Sequence, residues 1–338
     1  MKAVGLRRYL PIADPESLID LEIPKPEPGP RDLLVRVEAI SVNPVDTKVR
    51  APKPKEEVEP RVLGWDAAGV VEATGSSVTL FRPGDEVYYS GSILRQGTNS
   101  EFHLVDERIV GQKPAKLSFA QAAALPLTTI TAWEALFDRL GIDRFGADGG
   151  QSLLIIGGAG GVGSIGIQLA KLAGLKITAT ASRLATRDWC LKLGADHIID
   201  HRNPLKASLT EIGIEDVCFI ANFVDTDLYW APMAEVIRPQ GRICCINENR
   251  SPLDLNLLKS KSACFVWEFM FTRSMYETTD MQQQRELLNE VASLLDSGVI
   301  QSTVTEIMTP INATNLRSAH AKSESGRTIG KIVLAGWK

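Results

Sequence analysis

The sequence predicts an α/β fold in which a doubly wound parallel sheet is joined to a second, β-rich domain. The chain has 338 residues, a length that suits two domains better than one. From Ser152 onward, short apolar strands alternate with helical stretches, as in a parallel sheet covered by helices on both faces. A glycine-rich turn (Gly157–Gly163) joins the first of these strands to a helix. These three observations carry the prediction.

The first half of the chain is predicted to form the β-rich domain. The apolar runs Leu33–Val42 and Ala67–Gly75 have the length of strands, and turn-forming segments such as "PKPEPGP" and "RPGD" separate the runs. The charged, proline-rich segment Arg50–Pro60 is interpreted as an exposed, mobile loop.

The second half is predicted to form the parallel sheet. A helix capped by Ser118 and interrupted by Pro126 precedes it. A long amphipathic helix is predicted to end at Gly298, which has the position of a C-terminal cap. The tail "GRTIGKIVLAGWK" then adds one more strand. The strands of the parallel sheet are expected in "SLLIIGG", "KITATAS", "HIIDH", "VCFIANF" and "GRICCIN".

Composition and charge argue against several classes of function. The net charge is −4 and no basic patch alternates with aromatic residues, so neither nucleic acid nor an anionic membrane is an expected partner. No apolar run approaches the ~18 residues of a membrane span, and the N-terminus lacks the apolar core of a secretory signal. We therefore expect a cytoplasmic protein. Without a C-x-x-C pair, its five cysteines are expected to be reduced and mostly buried.

Gly158, Gly160 and Gly163 form the pattern G-x-G-x-x-G between the strand Leu153–Ile156 and a helix. Gly158 is expected to permit a tight turn, Gly160 to let backbone approach a pyrophosphate, and Gly163 to let the helix pack on the strand. The start of the helix offers N–H groups and a positive dipole end to the phosphates. Glycine turns also occur for packing reasons, but this context favours a dinucleotide site of the Rossmann type. The residues of that site are Gly158, Ala159, Gly160, Gly161, Val162 and Gly163.

The end of the second strand favours NADPH over NADH. An NAD-binding fold places an acidic residue there, about 20 residues after the glycines, to bind the ribose hydroxyls. This chain has Ser182 and Arg183 instead, with Arg187 one helical turn further on. A hydroxyl and a guanidinium would hold a 2′-phosphate that a carboxylate would repel. The alternative is that Arg183 is a solvated surface residue.

Several stretches along the whole chain form a specific set. They are "PGPRDLLVRVEAISVNPVDTKVR", "LGWDAAGVVEATG", "FRPGDEVY", "LPLTTITAWEAL", "GGAGGVGSIGIQLAKLAG", "GADHIIDHR" and "SGRTIGKIVL". Through them the chain resembles the medium-chain dehydrogenase/reductase superfamily. The resemblance implies a GroES-like catalytic domain at residues 1–126 and 300–338, interrupted by a Rossmann domain at residues 127–299. It also implies an active site in the cleft between them.

Many members of that superfamily are zinc alcohol dehydrogenases, so the resemblance also implies positions for the metal ligands. Asn43 stands where the family has its first ligand, a cysteine; Trp65 stands at the histidine of a "GHE" motif; and Leu127 stands at the third ligand, another cysteine. None of these side chains is a competent zinc ligand. The structural-zinc lobe needs four closely spaced cysteines, and this chain has no cysteine before Cys190. Both zinc sites are therefore predicted to be absent, although a family label that names zinc could still attach to the chain.

Without zinc, alcohol oxidation would lose the Lewis acid that stabilises the alkoxide. The chain instead resembles the zinc-free quinone oxidoreductase branch of the superfamily, which includes zeta-crystallin. The predicted function is transfer of hydride from NADPH to a quinone or an α,β-unsaturated carbonyl, in which the negative charge that forms is delocalised. An enoyl-thioester reductase is the alternative among enzymes. An NADPH-binding protein with little turnover, serving as a redox sensor or a structural protein, is the alternative outside enzymology.

Three residues are candidates for the catalytic site, each with an alternative. Asn43 is expected to donate to the substrate oxygen or to hold a water, or else to form an Asx turn before Pro44. Asp46 is expected to fix the geometry of that loop, or else to be a surface carboxylate. Trp65 is expected to give an aromatic acceptor a flat wall, or else to pack in the core. No tyrosine or histidine is identified as the proton donor.

The resemblance also suggests residues that bind the cofactor. Thr128 and Thr131 fall where the family approaches the nicotinamide ribose, although a helix-capping role is the alternative. Asn247 falls where backbone groups meet the carboxamide, and Lys331 is expected to reach the cofactor phosphates unless it lies on a solvated face. The segment "SACFVWEFMF" is expected to form an edge strand that pairs across a two-fold axis in a homodimer.

Overall fold

The computed structural model describes residues 1–337, and the chain divides into two compact units. Unit 1 combines Met1–Ile130 with the chain from Phe271 onward, and unit 2 is Thr131–Met270. Unit 1 is thus discontinuous in sequence, with unit 2 inserted into it. The divisions fall at 130/131 and 270/271, whereas the sequence suggested 126/127 and 299/300.

Unit 1 is built on two sheets. The larger has seven strands: β3 (Asp32–Ser41), β5 (Asp66–Thr74), β6 (Glu86–Ser90), β7 (Phe102–Asp106), β8 (Val110–Gln112), β15 (Val304–Met308) and β16 (Lys331–Ala335). The main path runs β15-β16-β3-β5-β6-β8, and β7 pairs with β3. The smaller sheet has three strands: β1 (Lys2–Tyr9), β2 (Ile19–Glu22) and β4 (Lys53–Val62). Its order is β2-β1-β4.

The interpretation of Arg50–Pro60 as a loop is wrong, because most of it belongs to strand β4. This strand pairs antiparallel with β1, and Lys53 lies opposite Tyr9. The Lys53 ammonium also lies 4.1 Å from the centre of the Tyr9 ring. As an edge strand, β4 has only one partner, so its prolines are tolerated and its charges remain in solvent. The hydrogen bonds come from a strand more than 40 residues away, which the local composition does not indicate.

Helices cover the sheets of unit 1. They are α1 (Pro44–Arg50), α2 (Phe119–Ala123), α3 (Pro126–Trp133), α9 (Thr272–Tyr276), α10 (Gln283–Asp296) and α11 (Ala313–Glu324), with a 3₁₀ turn at Glu107–Ile109. Ser118 caps α2 as predicted, since its Oγ accepts the backbone N–H of Gln121 at 3.3 Å. The chain breaks at Pro126, where α3 begins and runs across the 130/131 division.

Helix α10 explains why the second division differs from the predicted one. The Tyr88 hydroxyl on β6 donates to the carbonyl of Leu288 on this helix at 2.5 Å. The backbone N–H of Gln112 on β8 donates to the side chain of Asn289 at 2.9 Å. These contacts hold α10 against the seven-stranded sheet. Periodicity predicts the apolar face of this helix but does not indicate which sheet it covers.

Unit 2 contains a six-stranded sheet in which every pairing is parallel. Its strands are β9 (Ser152–Ile156), β10 (Lys176–Thr180), β11 (His197–Ile199), β12 (Val217–Asn222), β13 (Ile237–Cys245) and β14 (Cys264–Trp267). The order is β11-β10-β9-β12-β13-β14. Counted from β9, this is the 3-2-1-4-5-6 order of the Rossmann fold, so the predicted doubly wound sheet is confirmed.

Five helices and one π-helical segment (Glu134–Arg139) complete unit 2. The helices are α4 (Gly161–Leu172), α5 (Leu184–Lys192), α6 (Leu205–Glu211), α7 (Thr226–Val236) and α8 (Asn256–Lys259). Four of the five cysteines are buried and Cys264 is exposed, with all five thiols free. Within residues 1–337, no helix is both long and apolar enough to cross a membrane.

Candidate active site and cofactor turn

In unit 1, two of the three positions at which the family resemblance placed zinc ligands, Asn43 and Leu127, contact one carboxylate, that of Asp66. Asn43 donates from its side-chain Nδ2 to Asp66 Oδ2 at 2.7 Å. The backbone N–H of Leu127 donates to Asp66 Oδ1 at 2.7 Å. Trp65 directly precedes Asp66 in the chain. Hydrogen bonds to Asp66 therefore bring Asn43 and Leu127 together, whereas the Trp65 side chain contacts Ser92 and Phe271.

Two further groups complete what we term the Asp66 cluster: Ser41, Asn43, Asp66, Lys331 and the backbone of Val42 and Leu127. The Ser41 hydroxyl donates to Asp66 Oδ2 at 2.7 Å. The Lys331 ammonium donates to Asp66 Oδ2 at 3.3 Å, to the Val42 carbonyl at 2.8 Å, and to Asn43 Oδ1. All four side chains are buried. The cluster is thus a buried ion pair whose carboxylate accepts four hydrogen bonds.

Lys331 was expected to reach the cofactor phosphates or to lie on a solvated face. It lies at the start of β16, buried, and the acceptors of its ammonium are Val42, Asn43 and Asp66. A role toward the phosphates stays a prediction, and the contacts described here assign the side chain to the Asp66 cluster.

Asn43 and Asp46 are linked through the first turn of α1. The backbone N–H of Asn43 donates to Asp46 Oδ2 at 2.8 Å, which fixes the start of the helix. Asp46 is buried, not a surface carboxylate, and among the described residues its Oδ1 has no hydrogen-bond partner. Burial, reinforced by the nearby Asp66 carboxylate, raises the pKa of Asp46 to about 7 although the Asn43 N–H and Lys331 oppose the shift. The Asn43 side chain donates to Asp66 and accepts from Lys331. Asn43 is also the N-cap of α1, in a capping box with Asp46, so its local role at the helix start is retained.

Trp65 lies in the core of unit 1. Its indole N–H donates to the Ser92 carbonyl at 3.1 Å, and its ring packs edge-to-face on Phe271 with centroids 5.7 Å apart. The side chain is 0% exposed, as expected for the core alternative. A stacking role toward an acceptor remains a prediction.

The donor set does not fit a zinc ion. Zinc in proteins is held by thiolate, imidazole and carboxylate groups in tetrahedral sets. Among residues 1–337, no three His, Cys, Asp or Glu side chains are grouped so that they could hold a metal. The positions of the expected ligands carry an amide, an indole and an aliphatic side chain.

In unit 2, the glycine turn follows β9 and starts α4 as predicted, but the roles of its glycines differ in part. The residue with left-handed backbone is Gly157, at φ +89°, one position before the motif. Gly158 lacks a side chain for a different reason: a Cβ there would lie 2.8 Å from the Ala179 Cβ. A Cβ on Gly163 would lie 2.3 Å from the Gly157 carbonyl oxygen, so this glycine does allow helix and turn to pack closely.

Gly160 fits the role of an open approach to a ligand. A Cβ on Gly160 would meet only the Gly157 oxygen, at 3.5 Å. Gly160 is also the N-cap of α4, and no side chain in the described chain caps this helix. The amides of Gly161, Val162 and Gly163 begin the helix beside the backbone of Ala159. Such a helix start is suited to bind phosphate oxygens.

The turn is held in place by the neighbouring strand. The Gly157 N–H donates to Thr180 Oγ1, at the end of β10, at 3.0 Å. β9 lies between β10 and β12, the point at which the strand order reverses. Ligands of open α/β sheets bind outside the carboxyl ends of the strands at this switch point.

Ser182 and Arg183 follow β10 at the same edge of the sheet, both half-buried. Sequence reasoning missed a third residue there, Arg202, whose guanidinium Nη2 lies 3.4 Å from the Ser182 carbonyl oxygen. Arg202 forms an ion pair with Asp200 at 2.5 Å, and this contact lowers the pKa of Asp200 to about 2. The sequence contained a signal for Arg202: it comes shortly after strand β11, and the carboxyl ends of neighbouring parallel strands lie at the same edge of a sheet.

Of the remaining cofactor candidates, the two threonines are buried and Asn247 is half-buried. Thr128 is buried on α3, and its hydroxyl donates to the Leu125 carbonyl at 3.0 Å. Thr131 is also buried on α3. Asn247 follows β13; its Nδ2 donates to the Val224 carbonyl at 2.8 Å. Nothing in these contacts tests a role toward nicotinamide, so these roles stay predictions.

Two family models match the chain. The alcohol dehydrogenase GroES-like domain matches residues 29–131, and the zinc-binding dehydrogenase model matches residues 193–334. A zinc-type alcohol dehydrogenase-like protein of Staphylococcus epidermidis is 42% identical over 335 residues, which cover 99% of each chain.

Solved structures give the same picture. A protein of Rhizobium etli described as a zinc-dependent alcohol dehydrogenase is 51% identical, with a TM-score of 0.95 over 100% of this chain and 98% of that one. Quinone oxidoreductase of Escherichia coli, solved in complex with NADPH, is 26% identical, with a TM-score of 0.84 over 99% of this chain and 100% of that one.

Proposed function

The chain belongs to the medium-chain dehydrogenase/reductase superfamily of oxidoreductases, and from this premise we propose that it reduces quinones or α,β-unsaturated carbonyls with NADPH and without a metal. The observation that carries the proposal is the Asp66 cluster. Where the family's zinc ligands would stand, the chain has Asn43, Trp65 and Leu127. Asn43 and the Leu127 backbone donate to Asp66, which is paired with Lys331. The names of several relatives refer to zinc, but these residues offer zinc no ligand set.

The chemistry of the acceptor follows from this donor set. When bound, the nicotinamide supplies the hydride. Reduction of an isolated carbonyl or oxidation of an alcohol concentrates negative charge on one oxygen, which a zinc ion would stabilise as a Lewis acid. A quinone or an enone spreads the same charge by conjugation, so hydrogen bonds suffice. The polar side chains of the Asp66 cluster provide fixed dipoles that can stabilise the delocalised charge of the reduced acceptor. In unit 2, Gly160 leaves space for the cofactor phosphates.

The enzyme is expected to oxidise NADPH with ortho- or para-quinones or small enones, and to give essentially no reduction of NADP with ethanol. Losing one hydrogen-bond donor to an oxyanion costs about 2.7–4 kcal/mol in other enzymes, so a site with few donors and no metal stabilises an alkoxide poorly. Steady-state absorbance at the NADPH band measures both reactions.

Elemental analysis of untagged protein should find no stoichiometric zinc, and a chelator should leave the quinone rate unchanged. One tightly held zinc per chain, or robust ethanol oxidation by metal-free protein, would overturn the proposal.

NADPH is the proposed cofactor because Ser182 and Arg183 occupy the end of β10. The variant Arg183→Ala removes a charge-assisted contact worth ~1.5–3 kcal/mol, so the affinity for NADPH should fall roughly ten- to hundred-fold. NADH affinity should barely change, because NADH has no 2′-phosphate. Arg238→Ala is the matched control, since Arg238 lies at the start of β13 and donates to Gln151, directly before β9. Equal weakening of both cofactors in Arg183→Ala would show that this arginine does not bind the 2′-phosphate.

A homodimer is the proposed assembly, formed through β14. This strand ends the six-stranded sheet and pairs, among the described strands, only with β13; its last residue, Trp267, is 42% exposed. Antiparallel pairing with a second copy would satisfy the free backbone groups and cover the aromatic surface. Light scattering at micromolar concentration is expected to give twice the chain mass, and Trp267→Lys is expected to shift the protein toward monomer. A monomeric wild type would contradict the assembly.

A further inference from the structure

The ammonium of Lys331 has the surroundings of a bound cation. Its three acceptors are the Val42 carbonyl at 2.8 Å, Asp66 Oδ2 at 3.3 Å, and Asn43 Oδ1. Three acceptors match the three hydrogens of an ammonium, whereas a neutral amine has only two to donate. The Lys331 residue is 3% exposed, so water does not compete for these oxygens.

The charges of the cluster require this cation. The Asp66 carboxylate is 0% exposed, and a buried carboxylate without a partner carries a large desolvation penalty. Burial lowers the pKa of Lys331, and the charges of Asp66 and Asp46 oppose this shift only in part. The three acceptors around Nζ are the geometric evidence for the charged form. The buried charge of Lys331 and the buried charge of Asp66 are therefore each stabilised by the other.

The ammonium also determines the orientation of the Asn43 amide. Asn43 Oδ1 accepts from Lys331 while Nδ2 donates to Asp66. A flipped amide would place its NH₂ group against the ammonium and its oxygen against the carboxylate. The ion pair thus favours the orientation of the Asn43 amide in which Oδ1 faces Lys331 and Nδ2 faces Asp66.

We propose that the Lys331 ammonium is the built-in cation of the Asp66 cluster: it balances the buried Asp66 carboxylate, and it positions the Asn43 amide. The proposal holds whichever acceptor the enzyme reduces. Lys331 becomes a positioning residue within unit 1.

The first experiment is chemical rescue of Lys331→Ala. This variant removes Cγ, Cδ, Cε and Nζ, four heavy atoms that propylammonium reproduces. Saturating propylammonium should raise the melting temperature of Lys331→Ala by about 3–6 °C, because a ligand that binds only the folded state stabilises it. The wild type should show no such rise, and neither should Lys331→Ala with 1-propanol, which has the same size but no charge. An equal rise with 1-propanol, or no rise with propylammonium, would overturn the proposal.

A second pair of variants keeps the proposal testable if Lys331→Ala does not fold. Lys331→Met fills the space of the lysine but leaves Asp66 unpaired, whereas Lys331→Met with Asp66→Asn removes both charges. The double variant should melt about 5 °C above Lys331→Met, since the unpaired buried charge is the main penalty. A double variant that is no more stable than the single one would show that Lys331 does not balance Asp66.

Cofactor binding separates this role from a contact with the phosphates. NADPH affinity, measured by fluorescence titration without any acceptor, should change by less than about two-fold in Lys331→Met, because the ammonium is held within unit 1. A loss of ten-fold or more would assign the lysine to the phosphates and overturn the proposal. Since none of these measurements uses an acceptor, their outcome is independent of whether quinones are reduced.

Discussion

Gly163→Ala is expected to lower both the stability of unit 2 and its affinity for a dinucleotide. The added Cβ would lie 2.3 Å from the Gly157 carbonyl oxygen and 2.7 Å from the Gly158 Cα. Both neighbours are backbone, so no side chain can rotate away, and the start of α4 must move from the end of β9. Overpacking of this kind costs about 3 kcal/mol of unfolding free energy at the upper end of its usual range. Because the same movement displaces the N–H groups offered to the phosphates, NADPH affinity should fall by more than about 100-fold.

Gly160→Ala is the matched control for this prediction. It adds the same methyl group three residues earlier, where the nearest atom is the Gly157 oxygen at 3.5 Å, an ordinary contact. Its backbone, at φ −71° and ψ 175°, is accessible to alanine. Gly160→Ala should therefore fold with wild-type stability, yet weaken NADPH because the methyl group occupies the approach to the pyrophosphate.

Urea unfolding and a fluorescence titration with NADPH measure the two quantities separately. The expected pattern is loss of stability and affinity in Gly163→Ala but loss of affinity alone in Gly160→Ala. Wild-type NADPH binding by both variants would show that this turn does not hold the cofactor. Equal destabilisation by both would show that the turn is more tightly packed at Gly160 than the structure indicates.

Much of unit 2 was predictable from the sequence, because its signals are local. Each strand is a short apolar run bounded by turn residues, and a parallel sheet buried on both faces needs such runs. The glycine turn was recognised by its spacing, but the left-handed residue Gly157 was not distinguished from Gly158. Both are glycines beside the same turn, and only the backbone shows which one has the positive φ. The same limit applies to Arg202, which tertiary pairing of β10 and β11 brings to Ser182.

Unit 1 was harder, because its structure depends on contacts between distant parts of the chain. The charged segment that forms β4 carries no local sign of a strand. The Asp66 cluster joins residues near positions 41, 66, 127 and 331. The resemblance marked Asn43, Trp65 and Leu127 as belonging to one site and suggested Lys331 as a cofactor residue, but nothing in the sequence pairs Lys331 with Asp66. Their pairing required the sheet that places β16 beside β3, and β3 beside β5.

A second buried charge cluster, in unit 2, leads to a prediction about pH. Arg139 donates from Nε to Glu268 at 2.9 Å and lies 3.5 Å from Glu134. Both carboxyl side chains are 0% exposed, so one guanidinium faces two buried carboxyl groups. Burial, followed by the charge of Glu134, raises the pKa of Glu268 well above its usual range, although Arg139 opposes the shift. Glu268 therefore retains its proton in the folded protein at pH values at which the unfolded chain has lost it.

The variant Glu268→Gln is expected to make the protein more resistant to alkaline pH. With the folded pKa above the unfolded value of 4.5, the folded state holds one more proton than the unfolded state as pH rises beyond 4.5. Stability is then fully present below pH 4.5 and falls by up to ~1.4 kcal/mol per pH unit until the folded pKa is reached. Glutamine imitates the protonated acid, since its oxygen still accepts from Arg139 and its NH₂ can donate to Glu134.

Urea unfolding at pH 5, 6, 7 and 8 measures the effect. The advantage of Glu268→Gln over the wild type should grow with pH and reach roughly 2–4 kcal/mol at pH 8. Glu235→Gln, an exposed change on α7 of the same unit, should follow the wild type at every pH. If the curves for Glu268→Gln and wild type were parallel, Glu268 would be ionised in the folded protein over this pH range, which would contradict the prediction.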